Sequence, residues 1–167
     1  RARMLLAAKD TLAAEADIEK ALKINKNAVN AYIMRADIAI NSDGDFRRAL
    51  SDIDEAIRLQ PRTAGLYINR AYLRYRLDSY TGAMADYDYA LRLEPLNVTA
   101  LFNRGLLLAE VSANDLALAD FNKVLELEPD DFRALYNRAL INRLKGNTTD
   151  ALSDISRVVE RFPDFPG

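Results

Sequence analysis

The sequence predicts an all-α fold, a solenoid of stacked antiparallel helix pairs. Three observations carry that prediction: a fixed period, two amphipathic stretches in each period, and a break after each stretch. Asn69-Arg70-Ala71, Asn103-Arg104-Gly105 and Asn137-Arg138-Ala139 stand 34 residues apart, and Pro61, Pro95, Pro129 and Pro163 step by the same 34. A fixed period of this length is the mark of a repeat architecture and is read before any local signal.

Aligned on the period, a partial unit covers residues 1–27, four full units cover 28–61, 62–95, 96–129 and 130–163, and residues 164–167 open a further one. Together they are expected to form one array. Arg1-Ala2 fall where Arg35-Ala36 and Arg70-Ala71 fall, so the chain is expected to begin partway through a helix. Each full unit holds two runs of good helix formers with apolar residues at helical spacing. The polar breaks between them read "NSDGD", "LDS", "VSAND" and "KGN". Connections that short join antiparallel neighbours. The first full unit carries one extra residue near Gly44, because Ala36 to Ala49 is 13 positions where the others have 12. A wider turn is expected there.

Small residues recur at two sites, Ala36, Ala71, Gly105 and Ala139 in the first helix and Ala14, Ala49, Ala83, Ala117 and Ala151 in the second. Small side chains at a crossing let helix axes approach, and larger ones such as Ile53, Tyr87, Phe121 and Ile155 then fill the gaps. Tyr67, Tyr80 and Tyr87 are read as core.

Arg1, Arg35, Arg70, Arg104 and Arg138 keep step with Asp17, Asp52, Asp86, Asp120 and Asp154 in the second helices. The expectation is a ladder of Arg–Asp pairs, within a repeat or across to its neighbour. Such a pair fixes register more than it adds stability, since desolvation offsets much of the attraction.

Composition narrows function by exclusion. The chain has 167 residues, 23 basic and 25 acidic, a formal charge of −2, and neither Cys nor His. That balance gives no cationic footprint for nucleic acid. The missing residues remove thiol nucleophiles, imidazole bases and the usual zinc, haem and iron–sulfur ligands, so no cofactor or metal is expected. No run approaches the roughly 20 apolar residues that span a bilayer. An absent Cys fits cytoplasm and periplasm alike. Asp43 with Asp45 and Asp130 with Asp131 sit at turns and helix starts, where Asp caps helices, and Asp52 belongs to the ladder, so no enzyme is expected.

The run "LYINRAYLRYRLDSYTGAMADYDYALRLEP", with its small residue, Ala twelve positions on, a large side chain, Ala and "LEP", resembles the tetratricopeptide repeat (TPR). The resemblance covers nearly the whole chain and is close to the long bacterial proteins of that family. It implies a right-handed superhelix whose first helices line a concave groove.

Asn follows one step before Arg and so points about 100° away from it, along that first-helix surface. The candidate groove is Met34 and Asp37; Asn69, Tyr72 and Tyr75; Phe102, Asn103 and Leu106; then Arg133, Tyr136, Asn137, Leu140 and Arg143. Amide tips over an aromatic floor suit the backbone of a peptide or helix. Some co-chaperones of the family clamp a terminal carboxylate with Lys three positions before the small site. Ile33, Ile68, Phe102 and Tyr136 stand there instead, so that ligand is not expected. The leading reading is a protein-interaction scaffold. The alternative is a spacer or self-association segment, with an apolar stripe exposed around Ile155, Val158 and Val159.

Overall fold

The computed structural model describes residues 11–161, the Asp43 side chain excepted. The readings on Arg1, Ala2 and residues 164–167 lie outside these. Among the described residues the chain forms α1 (Thr11–Ile24), α2 (Val29–Ile38), α3 (Phe46–Leu59), α4 (Ala64–Arg76), α5 (Tyr80–Leu93), α6 (Val98–Glu110), α7 (Asn114–Leu127), α8 (Phe132–Leu144) and α9 (Thr148–Arg161).

The chain divides into two compact units, Arg1–Leu93 and Glu94–Gly167. In the first, α2 pairs with α3 and α4 with α5, while α1 packs on α2 and α3 on α4. In the second, α6 pairs with α7 and α8 with α9, α7 packs on α8, and α6 touches α8. Antiparallel helix pairs stack in both.

The small residues close the crossings. Ala36, Ala49, Ala71, Ala83 and Ala117 are wholly buried, and Ile53, Phe121, Val124 and Val158 fill the space beside them. Gly105 shows how tight this is: a Cβ built there would stand 2.9 Å from Phe121 Cε1. A wholly buried phenyl ring takes the place that a methyl group takes elsewhere.

First helices end on a left-handed residue: Gly44, Asp78, Ser112 and Gly146 have φ of 63°, 58°, 62° and 80°. These four positions keep the 34-residue step. The next N–H closes the turn, with Ser79, Ala113 and Asn147 each donating to the carbonyl five residues back, those of Arg74, Leu108 and Asn142, at 2.8 Å. Asp45 donates instead six residues back, to Ala39. The extra residue is therefore absorbed in a π-turn, Ala39–Asp43, inside the first helix. The expected wider turn is corrected: widening one helical turn keeps backbone hydrogen bonds closed, whereas a longer loop would open them.

The Arg–Asp ladder is present and lies within repeats. Arg35 Nε and Nη2 donate to Asp52 Oδ2 and Oδ1 at 2.9 and 2.6 Å. Arg70 does the same to Asp86 at 2.9 and 2.7 Å, Arg104 to Asp120 at 2.8 and 2.7 Å, and Arg138 to Asp154 at 2.7 and 2.6 Å. Arg70 Nη1 also reaches back to Asp54 of the preceding second helix, and Arg138 Nη1 to Asn122. The side chain that locks one pair thus ties it to its neighbour.

Two more Asp residues start helices. Asp45 accepts from the Arg48 N–H, and Asp131 Oδ1 accepts from the N–H groups of Arg133 and Ala134. Burial would raise the Asp131 carboxyl, but the Arg133 guanidinium and these N–H groups outweigh it and hold the carboxyl below its ordinary 3.8.

Two outcomes are expected. Gly105→Ala gains about 1 kcal/mol of helix propensity and loses about 1–3 kcal/mol to overpacking against Phe121. It should lower stability by about 1 kcal/mol in urea titration, and become stabilising in a Phe121→Leu background. Stabilisation in the native background would contradict the contact. Asp131→Asn keeps a capping oxygen and removes the charge at the helix N-terminus, and should cost about 0.5–1 kcal/mol at neutral pH. A carboxyl depressed by folding contributes fully above its unfolded value and loses that contribution as pH falls through its folded one. The difference between native and variant should therefore hold steady down to about pH 5 and shrink below 3.8; a gap widening with acid would contradict it.

Candidate functional site

The ladder decides which way the rest of each first helix points. With Arg committed to the second helix, residues at helical spacing from Asn occupy another face of the first.

On α2, Met34 is half-buried against Ala14, Ile18, Leu22, Ala31 and Ile38, and Asp37 is exposed. The Asp37 carbonyl accepts from Asn41 Nδ2 at 2.7 Å. Met34 therefore belongs more to the core of the unit than to its surface.

On α4, Asn69 is exposed, Tyr72 is 38% exposed and Tyr75 is half-buried. The Tyr72 hydroxyl accepts from Arg76 Nη1 at 2.8 Å. The same guanidinium lies over the Phe46 ring at 4.2 Å and the Tyr72 ring at 5.8 Å. Beneath them Tyr87 is buried; burial pushes its phenol well above the ordinary tyrosine value, and Tyr72 and Tyr75 add to the shift. Arg76 and Phe46 were missed by the sequence reading. For Arg76 the signal was there, four residues after Tyr72, where helical side chains meet.

Tyr67 and Tyr87 are core as expected, but Tyr80 is corrected. It is the first residue of α5 and leans outward onto Tyr75, ring centroids 5.8 Å apart. A side chain at a helix start lies beyond the crossing that buries its successors.

In the second unit, α6 carries Phe102, Asn103 and Leu106. Phe102 is only 8% exposed, its ring 5.8 Å from that of Phe121 and capped by the Arg133 guanidinium at 4.7 Å. Asn103 is half-buried and Leu106 exposed. On α8, Arg133 and Arg143 are exposed, while Tyr136, Asn137 and Leu140 are half-buried. Arg133 is anchored by Asp131, Nη2 to Oδ2 at 2.5 Å. Asn137 Nδ2 donates to its own helix, the Arg133 carbonyl, at 2.7 Å. That amide has spent one donor and presents its oxygen.

The exposed stripe on α9 is corrected in part. Val159 is exposed and Ile155 half-buried, but Val158, four residues after Asp154, faces inward and is buried. Leu152 and Val159 share the outer face instead.

The chemistry available on these first-helix faces is hydrogen bonding from amides, hydroxyls and guanidinium groups beside aromatic and aliphatic carbon. Among the described residues no helix is long and apolar enough to cross a membrane.

Comparison with known proteins places this architecture. No curated protein matches the sequence. Among solved structures, MamA superposes with a TM-score of 0.87 at 18% identity, over 98% of this chain and 95% of that one. YrrB, described as a TPR protein with an unusual peptide-binding site, gives 0.79 at 24% identity over 98% and 84%. PilW, described as a type IV pilus biogenesis factor, gives 0.82 at 26% identity over 96% and 74%. The tetratricopeptide repeat profile matches residues 42–95, 69–122 and 102–166. With paired helices, small-residue crossings and a profile match over most of its length, the chain belongs to the tetratricopeptide repeat family.

Proposed function

We propose that this chain is a non-catalytic protein-interaction module whose first-helix faces take a peptide or helix of a partner protein. The observation that carries the reading is on α4, where Asn69, Tyr72 and Arg76 rise along one side of the helix, with Phe46 beneath the guanidinium. Amphipathic rings and arginine in this setting are the commonest anchors of protein interfaces. The peptide-binding site named for YrrB is consistent with it. Carboxylates that could serve as acid and base are engaged elsewhere: Asp52 in its ion pair, Asp131 in its cap.

A second reading is self-association. Leu152 and Val159, seven residues apart on α9, are 62% and 50% exposed.

Peptides selected from a random displayed library on the native chain test the first reading. Binding should fall at least tenfold when Asn69, Asn103 and Asn137 are changed together to Ala, with helicity unchanged by circular dichroism. Asn137→Ala alone should matter least, because its amide is already tied to Arg133. Peptides held equally by native chain and triple variant would sink the reading. A monomer–dimer equilibrium lost in Leu152→Ser would move the second into its place.

A further inference from the structure

Three repeats place different side chains at one position of the first helix, Arg74, Leu108 and Asn142, each 34 residues after the last. In the first of them, Arg74 Nη1 donates to Asp86 Oδ2 at 2.8 Å and to the Gly82 carbonyl at 3.2 Å. Asp86 Oδ2 thus accepts from two guanidinium groups, those of Arg70 and Arg74. Gly82 makes the room: a Cβ there would stand 3.1 Å from Arg74 Cδ.

In the last of them the arginine is gone and a space remains. Asn122, Arg138, Asn142, Asp150, Ser153 and Asp154 line a cavity of about 300 Å3. Asp154 is 3% exposed and Asn142 7% exposed. Arg138 spends Nε and Nη2 on Asp154 and Nη1 on Asn122. Asp154 and Asp150 correspond to Asp86 and Gly82, so the carboxylate that holds a second guanidinium in one repeat lines an open cavity in the other. Two carboxylates against one arginine leave an excess of negative charge.

We propose that this cavity binds a guanidinium group, that of an arginine side chain entering from outside. The plane of an arginine matches a carboxylate edge and carries enough donors to engage Asp154, Asp150 and the second lone pair of the Asn142 oxygen, whose first accepts from Asn147 Nδ2 at 3.3 Å. A lysine ammonium supplies charge without that fork. Asp150 has the Cβ that Gly82 lacks, so an arginine rooted at position 142 would have to shift from the path Arg74 takes, whereas one arriving from solvent is not tied to that path. The site lies among α7, α8 and α9 and shares no residue with the first-helix stripe, so it stands or falls apart from the peptide reading.

The test is a titration of the full chain, followed by amide chemical shifts, with N-acetyl-arginine-N-methylamide, its lysine analogue and free arginine. Saturable shifts at Asn142, Asp150 and Ser153 are expected with the arginine amide, at least fivefold weaker with the lysine compound. Asn142→Leu, which copies Leu108, should abolish them; Asp150→Asn should weaken them at least threefold and serves if the first variant fails to fold. Free arginine binding as well as the amide would fit a side-chain site. Free arginine binding tenfold more tightly would overturn it in favour of an amino-acid pocket. Equal shifts from lysine and arginine, or shifts that persist in both variants, would also overturn it.

Discussion

A carboxylate buried in the second helix, and a guanidinium that reaches it from the first, hold each helix pair in one register. The pair is not a large source of net stability, since both charges leave water to meet. Its force is conditional: once Asp52, Asp86, Asp120 and Asp154 are buried, each carboxylate needs a donor, and the arginine at the matching height supplies two hydrogen bonds to each. Hydrogen bonding to Asp raises Arg35, Arg70 and Arg138 above the ordinary arginine value, so these cations keep their charge across the accessible pH range. The contacts of Arg70 with Asp54 and of Arg138 with Asn122 carry the same register from one repeat to the next.

The orientation of the candidate surface follows from that commitment. Arginine and its neighbouring asparagine cannot face the same way on a helix, so turning Arg138 toward Asp154 turns Asn137 along α8, and Arg70 does the same for Asn69 on α4. Local chemistry then differs from repeat to repeat. On α4 an exposed ring and guanidinium remain at Tyr72 and Arg76; on α6 the same two positions hold Leu106 and Glu110, both exposed. A surface built on one scaffold can vary its anchors in this way without touching the pairs that hold it.

The fold was legible because a period constrains every residue at once: the alanine crossings, the prolines and the Arg-to-Asp spacing, 16 residues except for 17 in the repeat that carries the extra residue, all recur in step. What escaped the sequence depends on three-dimensional neighbours. Whether Tyr80 or Phe102 is buried turns on which side chain lies across from it, and nothing in "SYTGA" or "LFNRG" states that. The extra residue of the first full repeat was visible as a count, but its accommodation in a π-turn follows from the left-handed Gly44 keeping its place. The cavity beside Asn142 was invisible because it is the absence of an arginine that another repeat supplies. Helix-start aspartates were readable since capping is local; the anchoring of Arg133 by Asp131 was not.

The central claim is tested most directly at Arg35 and Asp52, whose two hydrogen bonds join α2 to α3. A double-mutant cycle in urea with Arg35→Met, Asp52→Leu and both together separates the pair from its parts. Arg35 is 25% exposed and Asp52 5%, so removing the arginine strands a buried charge, whereas removing the aspartate leaves a cation that can reach water. The account predicts a loss of about 3 kcal/mol for Arg35→Met, a smaller loss for Asp52→Leu, and a double variant more stable than Arg35→Met alone. Additive losses, or an Arg35→Met variant as stable as the native chain, would contradict it.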